Sequence, residues 1–222
     1  MRHPQAAANR SLLLRTATDL LLERGRPVSI QQIRRCAGLS NGSVYHCFED
    51  GDAMWAALRA EILAVRQARV AAALATARRT AEDGVRAMVE AYLRWASEEA
   101  RSARVLSLIP PPTPGPEGAM AGQAGHLQQE LTTIEAWAAP LIAGGSIQDL
   151  PAATLHTFLF GQADLVVRSW LAGGGKDDLL TLAPMLGQAA WAAIKAKAAP
   201  RPPARAGTRD VPTEEAQRAL LL

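Results

Sequence analysis

The residue pattern of this 222-residue chain predicts an all-α fold, and three observations carry that prediction. Apolar residues recur three and four apart along most of the chain, the period of an amphipathic helix. Alanine and leucine dominate, and runs of β-branched residues are absent, which favours helix over strand. The densest proline and glycine runs, 110–116 and 173–175, fall between the periodic segments and read as links. With 49% hydrophobic and 20% charged residues, a folded, soluble protein is expected.

Taken in order, residues 1–9 read as a loose arm. Leu13, Ala17, Leu20 and Leu21 mark one face of a first helix that ends at Glu23-Arg24-Gly25. Arg26-Pro27 links it to a second helix, on which Ile30, Ile33 and Ala37 share a face. Ser29 and Gln32 have the spacing of a capping box, in which each side chain satisfies a free backbone donor at the helix start. Gly38 stands where the chain must turn, since glycine adopts positive φ at little cost. Ser40 caps a third helix carrying Val44 and Phe48. Two short helices joined by a tight turn form a helix-turn-helix, whose second helix can enter the major groove of DNA.

Glu49-Asp50-Gly51-Asp52 places acidic residues at the start of a fourth helix, where they favour its dipole. Met54, Leu58, Ile62 and Val65 keep helical spacing, and alanine-rich sequence runs on to about Arg79. At about 1.5 Å per residue this rod is on the order of 40 Å long, enough to join a small head to a larger body. The body opens with a helix carrying Val85, Met88, Val89, Tyr92 and Ala96, followed by a short one over 102–109. Prolines exclude regular structure over 110–116. Helical pattern returns over 120–139, with Leu131, Ile134 and Trp137, and again over 151–172 and 176–198. From Ala199 the chain is rich in proline, arginine and alanine, the composition of a disordered tail, with a transient helix expected over 213–222. The expected division is a head over 1–51, a body over 52–198 and a tail over 199–222.

Composition restricts function. A net charge of +3 is mild, so nucleic-acid contact has to come from local clustering. Two cysteines, Cys36 and Cys47, make no disulfide framework and read as small buried thiols. The N-terminus lacks a signal-peptide core, and Asp164 and Arg168 interrupt the longest apolar stretch, 155–171. A cytoplasmic protein without membrane attachment is therefore expected. No His/Cys/Asp/Glu cluster has metal-ligand spacing, no glycine loop suits a phosphate, and no nucleophile–base motif stands out. Neither a cofactor nor catalysis is expected.

The ordered anchors Leu13-Leu14-Arg15-Thr16-Ala17, Glu23-Arg24-Gly25, Ser29-Ile30, Ile33, Ala37-Gly38-Leu39-Ser40, Gly42-Ser43-Val44-Tyr45 and Phe48 resemble the TetR/AcrR family of bacterial transcriptional regulators. The match spans about residues 11–55; the remainder agrees only in its helical plan. The resemblance implies a three-helix DNA-binding head, a helical ligand-binding body and a homodimer. It assigns the DNA surface to positions Ser29, Ser40, Asn41, Gly42, Ser43, Tyr45 and His46. Hydroxyls and amides at a helix start suit phosphate oxygens, and Asn41 and His46 suit base edges. Three positions depart from the family pattern. Arg34 replaces a small alanine, Cys47 a histidine, and Gly51 a lysine that contacts phosphate. Losing one cation lowers affinity and salt dependence by about one phosphate equivalent, for which Arg34, Arg35, Arg10 and Arg2 are candidate compensators.

In the body, Met88, Tyr92, Trp95, Trp137, His156 and Phe160 are candidates to line a cavity for a small, largely apolar effector, although each is also a plausible core residue. Leu155, Phe158, Leu159, Gln162, Val166 and Trp170 form one stripe. Leu182, Leu186, Ala190, Trp191 and Ile194, with Leu179, form the facing one. Together they carry more apolar surface than one face needs, and in the family such helices form a four-helix bundle with a second copy. Asp164 and Arg168, four apart, are expected to pair on the surface. The expected function is a ligand-responsive repressor that binds a near-palindromic double-stranded operator as a homodimer. A helical small-molecule-binding dimer with weakened or lost DNA binding, and a constitutive DNA-binding factor without inducer, are the alternatives.

Overall fold

The computed structural model describes residues 4–77, 80–109 and 120–196, and it is all-helical over them apart from one isolated bridge. The helices are α1 (Pro4–Arg24), α2 (Ile30–Ala37), α3 (Asn41–Cys47), α4 (Gly51–Thr76), α5 (Ala81–Glu98), α6 (Ala100–Leu108), α7 (Met120–Ala143), α8 (Ala152–Ala172) and α9 (Ala183–Ile194). A 3₁₀ turn, Leu179–Leu182, precedes α9. The expected loop over 110–116 and the tail over 199–222 lie outside the described residues, as does Arg2.

Local chemistry sets the boundaries of the head. At the start of α2, the Gln32 amide donates to Ser29 Oγ at 3.3 Å and the Ser29 amide donates to Gln32 Oε1 at 3.1 Å. Gly38 ends α2 at φ 67°, letting its own amide and that of Leu39 close on the carbonyls of Arg35 and Arg34, each at 3.2 Å. The Ser43 amide donates to Ser40 Oγ at 3.2 Å, and the Ala53 amide to Asp50 Oδ1 at 2.7 Å. Leu13, Leu21, Ile33, Val44 and Met54 then meet in a fully buried cluster. Each large member contributes roughly 1.5–3 kcal/mol by leaving water.

This cluster does not stop at residue 51. Met54, Trp55 and Leu58 of α4 belong to it, and so do Val105 and Ile109 from the end of α6. The head is therefore clasped by two body-side elements. Exposed ion pairs Arg10–Glu61 and Arg101–Asp19 lie along the same seam.

In the body, α5 is the central helix: Val85, Met88, Val89, Tyr92, Leu93, Trp95 and Ala96 are all buried, against α4, α6, α8 and α9. It approaches α9 closely at Gly187, where a Cβ would lie 3.2 Å from Arg86 Cγ and 3.3 Å from its Cα.

Three expectations are corrected. Residues 4–9 are the first turns of α1 and not an arm; Cys47 Sγ donates to the Ala6 carbonyl at 3.7 Å, seating those turns on α3. Helix α7 runs past Ala139 through Pro140, because its end is closed downstream by the Gly144 and Ser146 amides on the carbonyls of Pro140 and Leu141, at 3.0 and 2.8 Å. The segment expected to be one helix over 176–198 is instead the 3₁₀ turn and then α9. Pro184 is accommodated only in a first turn, where its missing N–H costs nothing. Beyond α9, the Ala196 amide donates to the Ser146 carbonyl and the Gln148 amide to the Ile194 carbonyl, at 3.1 and 2.8 Å, which pulls the chain out of helix.

Two glycines of the head should respond oppositely to a methyl group. Gly38→Ala places an L-residue at positive φ and should cost about 1–2 kcal/mol. Gly42→Ala meets only Ser40 Oγ at 4.0 Å and should be neutral or stabilising by up to about 1 kcal/mol. Urea unfolding midpoints followed by circular dichroism will check both signs.

Candidate nucleic-acid interface and effector cavity

The polar end of α3 faces outward. Ser29, Arg35, Ser40, Asn41, Gly42, Tyr45 and His46 are exposed and Ser43 is half-buried, while Val44 and Phe48 anchor the other side of the helix. Asn41 and Tyr45 are one turn apart, as are Gly42 and His46, so these groups share neighbouring outward faces. The Tyr45 ring is 52% exposed, and its hydroxyl accepts from Gln31 Nε2 at 3.1 Å.

The departures at Arg34, Cys47 and Gly51 each have a structural outcome. Arg34 neither disturbs the helix packing nor projects freely. Its Nε donates to Gln31 Oε1 at 3.2 Å and its Nη1 to the Leu39 carbonyl at 3.1 Å, tying the turn. Through Gln31 it also holds Tyr45 in place, a chain of contacts that sequence spacing did not reveal. Cys47 is half-buried, and burial pushes its thiol up against the opposing charge of Arg10; Cys36, expected to be buried, is exposed. At Gly51 a Cβ would lie 3.8 Å from Ile30 Cβ, an ordinary contact. Of the candidate compensators, Arg10 pairs with Glu61 and lies over the Phe48 ring at 5.5 Å. Arg35 remains on the exposed surface.

The six candidate effector residues divide between two adjoining cavities. Tyr92, Trp95, His156 and Phe160 line the first, of about 370 Å³. Met88 and Trp137 line the second, of about 330 Å³, and Phe160 lines both. Tyr92 stacks on Trp95 with ring centroids 6.0 Å apart, and Phe160 packs its edge on Tyr92 at 5.9 Å. The sequence reading missed the charged part of the first cavity: Arg59, Arg66, Asp164 and Arg168 also line it. The available signal was the interruption of an apolar run by Asp164 and Arg168.

Asp164 is more than a surface partner. Its carboxylate accepts from Arg168 Nη2 at 2.7 Å and from the hydroxyl of buried Tyr92 at 2.8 Å. Burial first, then the Asp164 charge, raises the Tyr92 pKa, so the phenol stays protonated and donating. Between the cavities, Glu130 accepts from Arg66 Nη2 with both oxygens, at 3.0 and 2.9 Å, and from Gln67 Nε2 at 3.3 Å. His156 Nε2 stands 3.5 Å from Glu130 and makes no well-directed hydrogen bond. Burial alone would raise the Glu130 pKa; the neighbouring His156, Arg66 and Gln67 override it and hold the carboxyl at about 2. The Trp95 indole N–H, on a side chain 1% exposed, has no acceptor.

The candidate dimer face is only partly available. Leu155, Leu159, Leu186, Ala190 and Ile194 are at most 5% exposed, consumed by the chain's own core against α5. The half-buried Trp170 donates its indole N–H to the Asp177 carbonyl at 2.9 Å, fixing its own turn. Outward-facing groups are Phe158, Gln162, Leu165 and Met185, with Val166, Leu182 and Trp191 half-buried. Leu165 and Met185, which the sequence stripes had left out, are 69% and 60% exposed. Among the described residues, no helix is long and apolar enough to cross a membrane, and no group of three or more His, Cys, Asp or Glu is arranged for a metal.

No family model and no curated protein sequence matches the chain. Solved structures do. A protein described as a TetR-family transcription regulator from Shewanella sp. PV-4 aligns with a TM-score of 0.70 at 17% identity, over 85% of this chain and 99% of that one. The transcriptional regulator FadR from Bacillus subtilis, solved with stearoyl-CoA, aligns with a TM-score of 0.66 at 18% identity, over 81% and 96%. The ketosteroid transcriptional regulator KstR2 of Mycobacterium tuberculosis gives 0.58 at 18% identity, over 85% and 95%. The chain has the all-α fold of these regulators, with an N-terminal helix-turn-helix and a helical body.

Because Glu130 titrates lower folded than its ordinary 4.5, its ionisation stabilises the fold above that value, and the contribution is lost as pH falls toward about 2. Glu130→Gln should destabilise the protein at pH 7 by about 1–3 kcal/mol. It should also flatten the stability profile between pH 5 and about 2, as measured by urea unfolding across that range.

Proposed function

We propose that this chain is a TetR-family, ligand-responsive transcriptional repressor that binds a near-palindromic operator as a homodimer and releases it when a small molecule fills the body. One observation carries this reading. Helix α4 has its first turns in the head core, at Met54, Trp55 and Leu58, and lines both cavities farther along, at Arg59, Leu63 and Arg66 and then at Val70 and Leu74. Whatever occupies the cavities presses on the rod that carries the head.

The proposed DNA contacts come from the outward groups of α3 and the start of α2. Ser29, Ser40 and Ser43 meet phosphate, Tyr45 is held by Gln31 to do the same, and Asn41 and His46 meet base edges. Arg35 supplies positive charge beside them. The proposed body spans 52–198 and the head 1–51, with α4 and α6 bridging the two apolar clusters. For the second copy we take the outward face of α8 and α9: Phe158, Gln162 and Leu165 recur at helical spacing, with Met185 beside them. In this reading, a two-fold axis through that face pairs the heads for successive major grooves, which lie about 34–36 Å apart. Neither catalysis nor a cofactor enters this reading, and the protein acts in the cytoplasm.

Fluorescence anisotropy on DNA selected from a random pool tests it. Asn41→Ala with His46→Ala, and separately Tyr45→Ala, should weaken specific binding at least tenfold while leaving the mass of the assembly unchanged. Unaltered affinity refutes the assignment. Gly51→Lys should tighten binding and steepen the salt slope by about one. Leu165→Glu should yield a monomer by sedimentation and lose operator affinity with it; a persistent dimer moves the interface elsewhere.

A further inference from the structure

We propose that Arg34 is a positioning residue of the DNA interface that sets the direction of a proton: through Gln31 it turns the Tyr45 hydroxyl outward as a donor, to be met by a phosphate oxygen. This rests on the reading of α3 as the DNA-facing helix and names what one of its contacts requires of the partner. The hydrogen bonds run one way from a fixed end. The Leu39 carbonyl, in the turn between α2 and α3, can only accept, and Arg34 Nη1 donates to it at 3.1 Å. Arg34 Nε donates to Gln31 Oε1 at 3.2 Å, and Gln31 Nε2 donates to the Tyr45 hydroxyl at 3.1 Å. A guanidinium has donors and no acceptor, so the direction begins there.

The Gln31 amide is the element that Arg34 settles. Rotation about its last bond exchanges Oε1 and Nε2 between two comparable orientations. With the oxygen toward Tyr45, the phenol donates to Gln31 and its proton points back at the protein. An ionised donor facing the amide oxygen selects the other orientation, since such hydrogen bonds are the stronger ones. Tyr45 then receives an N–H on its oxygen. The phenol proton keeps to the ring plane, where it has two positions, and the one toward Gln31 meets the amide hydrogens. On a ring 52% exposed, the other position offers the proton to a group outside the chain. Phosphate oxygens on a duplex accept and do not donate, which is the chemistry this hydroxyl asks for.

The same geometry argues against Arg34 as a replacement for the lysine missing at Gly51. Its guanidinium is half-buried and committed to two acceptors of the head itself. Its contribution to binding is therefore orientation, with no counterion released by its own charge. An alanine at position 34, which the family pattern expects, carries no donor, so this relay belongs to this chain.

Double-mutant cycles on the full chain, read by anisotropy on DNA selected from a random pool, test this. Arg34→Met and Gln31→Met, each checked for native helicity, should weaken specific binding about three- to tenfold. In the Tyr45→Phe background neither should add more than about twofold, the scatter of independent sites. Gln31→Met keeps the Arg34 bond to Leu39, so it decides the matter if Arg34→Met loosens the turn. Gln31→Glu separates direction from mere anchoring. Its carboxylate still bridges Arg34 and Tyr45 but accepts from both, turning the phenol proton inward. It should weaken binding at least about threefold more with Tyr45 present than in the Tyr45→Phe background. The salt slope of Arg34→Met should match that of the parent. Unaltered binding by Tyr45→Phe, Met-variant costs that persist in its background, a Gln31→Glu cost equal in both backgrounds, or a slope lowered by about one, each overturns the proposal. Additive cycles on a selected sequence remove this proposal and leave the regulator reading standing. A chain that selects no sequence removes both.

Discussion

The continuity of α4 is the constraint on which the rest of this molecule depends. Its 26 residues form one hydrogen-bonded rod of about 39 Å, capped at its start by Asp50. Past Gly51 it holds no proline or glycine, the residues at which helices commonly kink. In the proposed reading, this unbroken helix is what would carry a displacement at Arg59, Leu63 and Arg66 to Met54 and Trp55.

A second link reinforces the first. Val105 and Ile109 at the end of α6 enter the head core, and Arg59 Nη2 donates to the Ile109 carbonyl at 2.6 Å. One side chain thus touches the cavity, the rod and the element that clasps the head from behind. Energetically, such an arrangement transmits only what a ligand gains in one state over the other, a tenfold affinity difference per roughly 1.4 kcal/mol. The partly buried polar groups of the body are weak sources of stability. The Tyr92 hydroxyl and the Arg66–Glu130 pair are largely desolvated, while Asp164 and Arg168 reach solvent, and apolar replacements of a buried pair often hold a fold as firmly. What they add is orientation.

The legible parts of the sequence were those decided over three or four residues. Ser29 with Gln32, Gly38, and Ser40 before Val44 fixed the head, because a capping bond or a positive-φ turn is satisfied by near neighbours whatever the rest of the chain does. Helical period likewise gave α4, α5 and α8 nearly to their ends. The proline at 184 was a local signal as well, passed over because the apolar period continued across it.

What neighbours distant in sequence decide was not legible. Helix α8 is apolar on more than one side, and only the position of α5 commits Leu155 and Leu159 inward while leaving Phe158 and Leu165 in water. The same holds for Arg59, Arg66 and Asp164, ordinary solvated charges on a helical wheel until packing turns them toward a shared cavity. Periodicity says that a helix has a buried face; it does not say which partner buries it. The amino-acid order by itself determined the helices, their caps and the turn that sets α3 outward, since those depend on backbone donors within one turn. Tertiary packing alone decided which apolar stripe is core, where the cavities open and which charges meet there, since those depend on atoms far apart in the sequence, as Arg59 and Asp164 are.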